Sequence, residues 1–193
     1  PDPSEYAVFA LFDEGEPLAT FQHKQVRAYK YSGGPSAYRG AVDIPELEGA
    51  GIRLLRELDW HGLAMVEFKL DDGVFKLMEI NPRFWSSLPF TVQAGVDFPY
   101  YYYRLAADGV TDFDAAYEPR TAGHLLRGEL GYLQSILTHE TPLAEPPEFG
   151  PEALKVLKSI ARHPRFDYLD RDDPGPFLRD AARMIEGSVR SRL

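Results

Sequence analysis

Four residues between positions 67 and 83 have side chains suited to chemistry rather than to folding. Glu67 lies between Val66 and Phe68, Glu79 lies between Met78 and Ile80, and the second of these apolar runs ends in Asn81-Pro82-Arg83. A carboxylate set in an apolar run costs desolvation and adds nothing to a core. Two carboxylates and an amide oxygen make an all-oxygen donor set, which suits Mg2+ or Mn2+ better than zinc. Magnesium held by a few carboxylates usually completes its shell with water and substrate phosphates, so the partner implied is a nucleotide. Arg83, just past the end of the run, would then offer a cation to phosphoryl oxygens. Taken alone, the spacing is equally compatible with a solvated hairpin face, because exposed glutamate is common.

A hairpin must bring these residues together. Leu63 to Leu70 and Val74 to Ile80 are strand-like runs that flank an Asp71-Asp72-Gly73 turn, a strong local hairpin signal. A two-residue Asp72-Gly73 loop pairs Glu67 with Met78 and turns Glu79 to the opposite face. A three-residue loop of residues 72–74 pairs Glu67 with Glu79 instead. The second register is the one expected, because it gathers Val66, Phe68, Leu70, Met78 and Ile80 on one face and leaves Glu67, Glu79 and Asn81 on the other. The acid face is expected to be the one that helices do not pack. Like charges facing each other across a ladder are destabilising, and a divalent cation between them would remove that cost.

These residues resemble the metal-binding end of the ATP-grasp ligases, in particular their carbamoyl-phosphate-synthase-like branch. The resemblance rests on Glu67 followed by Glu79-Ile80-Asn81-Pro82-Arg83, with VEFK and RFWSSLPF around them similar too, and it runs more loosely from about Tyr6 to about Asp108. It implies that Glu67, Glu79 and Asn81 hold Mg-ATP, as cofactor-binding residues and metal ligands, and that Arg83 contacts the transferring phosphate or an acyl phosphate. It also implies ATP and a small carboxylate as partners, with an amine or other nucleophile attacking the activated carboxylate. In similar proteins an arginine strand and a Gly-Gly-x-Ser loop lie at the substrate side. In the basic segment from His23 to Arg39, that parallel points to Arg27 as a second catalytic arginine, to Lys24 as a cofactor-binding lysine and to Ser36 in the loop. The family's glycine-rich phosphate-covering loop and adenine hinge have no counterpart here, and neither GxGxxG nor a P-loop is present. The upstream lobes are therefore expected to be missing, and this chain alone to be inactive.

The wider composition bounds these expectations. A chain of 193 residues with 44% hydrophobic content can bury a core, and the absence of cysteine excludes disulfides and thiolate metal sites. Thirty acidic against 21 basic residues, a net charge of −9, argue against nonspecific nucleic-acid binding. No apolar run is long enough to span a bilayer and none reads as a signal segment, so a cytoplasmic location is expected. The five histidines show no ligand spacing.

The fold class expected is α+β: an antiparallel sheet backed by helices, the C-terminal half of an ATP-grasp fold, with a helical C-terminal extension. The first domain is placed at residues 1–112 and the extension at 113–193. Strands are expected at Tyr6–Phe12 and Leu18–Phe21 and helices at Pro45–Leu58, Leu88–Ala94 and Phe98–Ala107. In the extension a short strand within Tyr117–Leu126 precedes helices at Glu129–Thr138, Glu152–Arg162 and Pro176–Glu186, with a proline-rich linker over Thr141–Gly150. The start of the chain, Pro1 to Tyr6, is expected to leave a sheet edge or apolar surface open to self-association, hence a homodimer. Two other readings stay open: a metal-dependent phosphoester hydrolase using Glu67 and Glu79, and a noncatalytic interaction module that keeps the fold.

Overall fold

The computed structural model of the chain describes residues 4–139 and 144–190; residues 141–143 of the expected linker therefore lie outside the described residues. A six-stranded sheet runs in the order β5-β4-β1-β2-β3-β6. Its strands are β1 (Ser4–Asp13), β2 (Glu16–Lys30), β3 (Gly33–Ala41), β4 (Gly62–Asp71), β5 (Val74–Asn81) and β6 (Ala122–His124). The helices are α1 (Pro45–Glu57), α2 (Leu88–Gln93), α3 (Phe98–Asp108), α4 (Leu126–Thr138), α5 (Phe149–Arg162) and α6 (Gly175–Arg190). The α+β class with an antiparallel sheet is what the alternating runs and helical spacings lead one to expect.

The chain divides into two compact units, Pro1–Gln25 with Gly40–Thr121, and Val26–Arg39 with Ala122–Leu193. In the first unit β1 is central, paired antiparallel with both β2 and β4. Among the described residues the chain start is therefore an inner strand and not the expected sheet edge; residues 1–3 of the expected open start lie outside the described residues. Residues Tyr6 to Phe12 are buried on both faces, which is why they read as an unbroken apolar run, and the sheet's edges are β5 and β6.

Alternation along β1 feeds two cores. Tyr6, Val8, Ala10 and Phe12 face α1 with Leu47, Leu55, Ala64, Val66 and Phe68, while Ala7, Phe9 and Leu11 face Phe90, Phe98, Tyr101 and Leu105 of α2 and α3. Fully burying each of Leu47 and Leu55 contributes about 1.5–3 kcal/mol. Pro45 opens α1 at its first turn, where its missing N–H leaves nothing unsatisfied. Asp97 caps α3 by accepting from the Tyr100 N–H. The tyrosine run of α3 is divided by helical geometry: Tyr101 is buried, while Tyr100 and Tyr103 are exposed.

In the second unit the hairpin between β2 and β3 turns at Tyr31–Ser32, and β3 begins at Gly33. The segment expected to be a Gly-Gly-x-Ser loop is strand, because Gly33 and Gly34, at φ 123° and 104°, let the chain pair directly out of the turn. Helix α4 approaches this hairpin closely. A Cβ on Gly128 would lie 2.7 Å from the Ala37 Cβ, so only glycine fits there. Among the ion pairs that fasten the unit are Arg39 with Asp167, both buried, and Arg27 with Glu129 at 2.7 Å.

Candidate functional site

Glu67 and Glu79 meet through a device the sequence does not announce. Asp72 and Gly73 both have positive φ, 49° and 77°, the signature of a two-residue turn whose twist matches the strands. Nearest the turn, Asp71 pairs with Val74, Lys69 with Lys76 and Phe68 with Leu77. Continued unbroken, that register would carry Glu79 to the far face. A bulge between Glu67 and Phe68 skips Met78, and beyond it Glu67 faces Glu79, Val66 faces Ile80 and Met65 faces Asn81. The expected three-residue loop is therefore replaced by a two-residue turn plus a one-residue bulge. Met78, expected on the packed face, is the bulged residue and is 51% exposed.

The cross-strand partners define the acid face. Glu79, Glu67, Ala7 and His23 form one row across β5, β4, β1 and β2. The adjoining row of Asn81, Met65, Phe9 and Phe21 runs beneath α2 and α3. The acid face is consequently helix-packed at one end and open at the other, a correction to the expected helix-free face. Trp85 covers the boundary between them, with its ring centroid 4.5 Å from that of Phe9 and 5.2 Å from that of Phe98.

Within the site the Asn81 Nδ2 group donates to Glu67 Oε2 at 3.2 Å and to Glu79 Oε1 at 2.7 Å. Arg83 donates from Nη2 to Asn81 Oδ1 and from Nη1 to the Phe84 carbonyl, both at 3.1 Å. Glu67 is half-buried, and Glu79 and Arg83 are exposed. Burial first, then the hydrogen bond with Glu79 and its charge, push the Glu67 carboxyl up to about 8. The hydrogen bonds from Glu67 and then Asn81 hold the Glu79 carboxyl below its ordinary range. Glu67 is thus pushed toward its neutral form and Glu79 toward its ionised form, so at neutral pH the pair favours a single negative charge. The Asn81 amide stands between the two carboxyl groups, where a cation would satisfy both acids at once. Among the described residues no cluster of three or more histidine, cysteine, aspartate or glutamate side chains is placed to hold an ion. The donor set here, two carboxylates and one amide, fits a hard divalent cation that takes its remaining ligands from water or phosphate.

The other sequence-selected residues are placed elsewhere. Lys24 pairs with Tyr6, one position out of phase with the His23–Ala7 pair, so it lies on the α1 face, opposite the acids. Its Nζ sits 5.3 Å from the centroid of the Tyr6 ring, on the other face of the sheet from Glu67 and Glu79 by that alternation. Arg27 belongs to the second unit. Its Nη1 donates to both Glu129 oxygens at 2.9 and 2.7 Å, and its guanidinium lies 5.5 Å from the centroids of Tyr38 and Tyr132. Glu129 also meets His124 Nδ1 at 2.6 Å, so the Arg27 charge is already matched inside its own unit. Ser36 bonds locally, from Oγ to the Tyr38 carbonyl.

Sequence reasoning missed His23, which the β1–β2 register puts in the acid row. The signal was there in the alternation from Ala7 once the two strands were paired. Glu129 carried no such signal, since it lies 102 residues from Arg27.

Residues 3–124 match the family model described as "ATP-grasp in the biosynthetic pathway with Ter operon". Among solved structures the chain is similar to the biotin carboxylase–β,γ-ATP complex from Campylobacter jejuni, with a TM-score of 0.52, 13% identity, and 63% of this chain and 29% of that one covered. It is similar in the same degree to the biotin carboxylase domain of a thermophilic 2-oxoglutarate carboxylase bound to bicarbonate, with a TM-score of 0.51, 16% identity and the same coverage of both chains. The chain thus spans less than a third of the length of either structure. No curated protein matches it.

Proposed function

Since this chain belongs to the ATP-grasp family, we propose that it supplies the metal-holding and phosphoryl-handling part of a ligase that activates a carboxylate with ATP. The observation that carries this reading is the bulge-enforced facing of Glu67 and Glu79, with Asn81 between them and Arg83 on Asn81. Glu67, Glu79 and Asn81 would hold Mg2+ (or Mn2+) together with the ATP phosphates. When bound, the ion supplies charge neutralisation to the phosphate chain.

The chain's own residues have distinct tasks. Glu67 gives up its proton so that both carboxylates can serve as ligands, and the displaced proton goes to solvent. Arg83, exposed at the strand end, meets the charge on the γ-phosphoryl group as it moves. A substrate carboxylate oxygen attacks the γ-phosphorus, the bond to the bridging oxygen breaks, and ADP and an acyl phosphate result. An amine or other nucleophile then displaces phosphate from the acyl carbon. Adenine recognition and cover of the phosphates belong to segments outside these residues, so turnover is assigned to the larger protein.

The test joins the upstream segment to this chain and compares wild type with Glu79→Gln by calorimetry of Mg-ATP binding. The substitution keeps shape and removes charge, so Mg-ATP affinity should drop while the fold survives. Unchanged affinity would refute the assignment. Arg83→Lys keeps the charge but loses the planar fork, and should lower kcat more than it raises the KM for ATP.

A further inference from the structure

Asn81 makes contacts that cannot all survive the arrival of a cation. Its Nδ2 group donates to both carboxylates, and its Oδ1 accepts from Arg83 Nη2. This orientation is fixed by chemistry: the ionised Glu79 carboxylate only accepts and a guanidinium only donates, so an amide lying between them has one satisfactory orientation. The partial positive charge of the Nδ2 group therefore stands in for a cation between the acids. An amide binds a metal through oxygen, however, and the Asn81 oxygen is occupied by Arg83.

We propose that Asn81 is an interlock between the cation and Arg83. Without a cation it satisfies both acids and tethers the guanidinium. Turning Oδ1 toward a bound divalent ion removes the acceptor from Arg83 and releases it to meet an anionic ligand. The remaining tie, to the Phe84 carbonyl, is to the next residue's backbone and leaves the guanidinium free to swing. Cation and anion binding are then coupled through a protein group, in addition to the attraction between the two ions, and the coupling is reciprocal. Arg83 is a positioning target of Asn81, so the site presents its phosphate-directed cation only once the metal is in place. This inference rests on the reading of Glu67, Glu79 and Asn81 as cation ligands.

The experiment uses the whole chain, isotopically labelled, and magnesium ion alone as probe. Three sets of NMR signals are followed through one titration: the carboxyl carbons of Glu67 and Glu79, the Asn81 side-chain amide, and rotation of the Arg83 guanidinium. All three should change with one midpoint, and the Arg83 rotation rate should rise at least about fivefold, the low end of ordinary coupling between sites. In the isosteric double variant Glu67→Gln, Glu79→Gln, magnesium should leave Asn81 and Arg83 unmoved. Carboxyl signals that shift in wild type while Arg83 rotation stays unchanged would overturn the interlock and spare the cation site. Arg83 release by magnesium in the double variant would overturn it as well. Carboxyl signals that never shift would remove the cation site and the interlock together.

Discussion

Glu67→Gln should make the chain more stable, and only above the acidic range. The folded chain holds the Glu67 proton to about pH 8, against an ordinary value of 4.5. Between those values the unfolded chain has already released the proton that the folded chain retains. The unfolded state therefore binds fewer protons, and stability falls as pH rises through this window. A gap of this size sets an upper limit of about 5 kcal/mol. Because the side chain is only half-buried and solvent screens it, about 1–2 kcal/mol is the expected loss. Glutamine has nearly the shape of the protonated acid, can donate to Glu79 and accept from Asn81, and does not titrate. Wild type and variant should match near pH 4.5 and diverge by about 1–2 kcal/mol by pH 9, the variant being the more stable. Urea denaturation in the presence of a chelator, followed by tryptophan fluorescence, reads the difference directly. In thermal denaturation it corresponds to about 2–4 °C per kcal/mol for a chain of this size. Saturating Mg2+ at pH 9 should close the gap by stabilising wild type alone. Parallel pH curves for the two proteins would show that the pair shares no proton and that the electrostatic account of the site is wrong.

Two further outcomes test the framework. Deleting Met78 removes the bulged residue and sets Glu79 next to Leu77, where the turn's own register pairs it with Glu67, so the fold and Mg2+ affinity should both persist; a loss of affinity of about tenfold or more would show that the bulge does more than set the register. Glu129→Ala leaves Arg27 buried without its counter-ion and should cost about 3–5 kcal/mol, read as a lowered thermal midpoint, and a loss below about 1 kcal/mol would place the pair among weak surface bridges.

The strongly local features of this chain were legible before its fold. Asp72-Gly73 marks a hairpin, and the apolar spacing from Leu47 to Leu55 marks a helix. The gathering of apolar residues on one face predicts the pairing of Glu67 with Glu79, and the chain achieves it with a two-residue turn and a bulge in place of a three-residue loop. A bulge is a single extra residue without a compositional mark, so its place could not be read. The β1–β2 hairpin repeats the lesson, since its register also shifts, between Leu11 and Phe12. Lys24 shows the limit of reading charge without register, because one step along β2 separates the acid face from the α1 face. Arg27 shows the limit of reading a basic residue without its long-range neighbours, since its partner arrives more than a hundred residues later.

The ion pairs of the second unit bear on where this chain can be cut. The family match ends at residue 124, yet Arg27 and Arg39, which lie inside that span, are neutralised by Glu129 and Asp167, which lie beyond it. A fragment trimmed to the family boundary would keep two arginines built to be covered and lose both of the carboxylates that cover them. Domain excision by sequence boundary would thus yield a piece whose strands are intact in pattern and whose charges are stranded. The practical unit for expression, fusion or domain exchange extends at least through Asp167, and the C-terminal segment is better regarded as part of the sheet's own scaffolding than as a removable appendage.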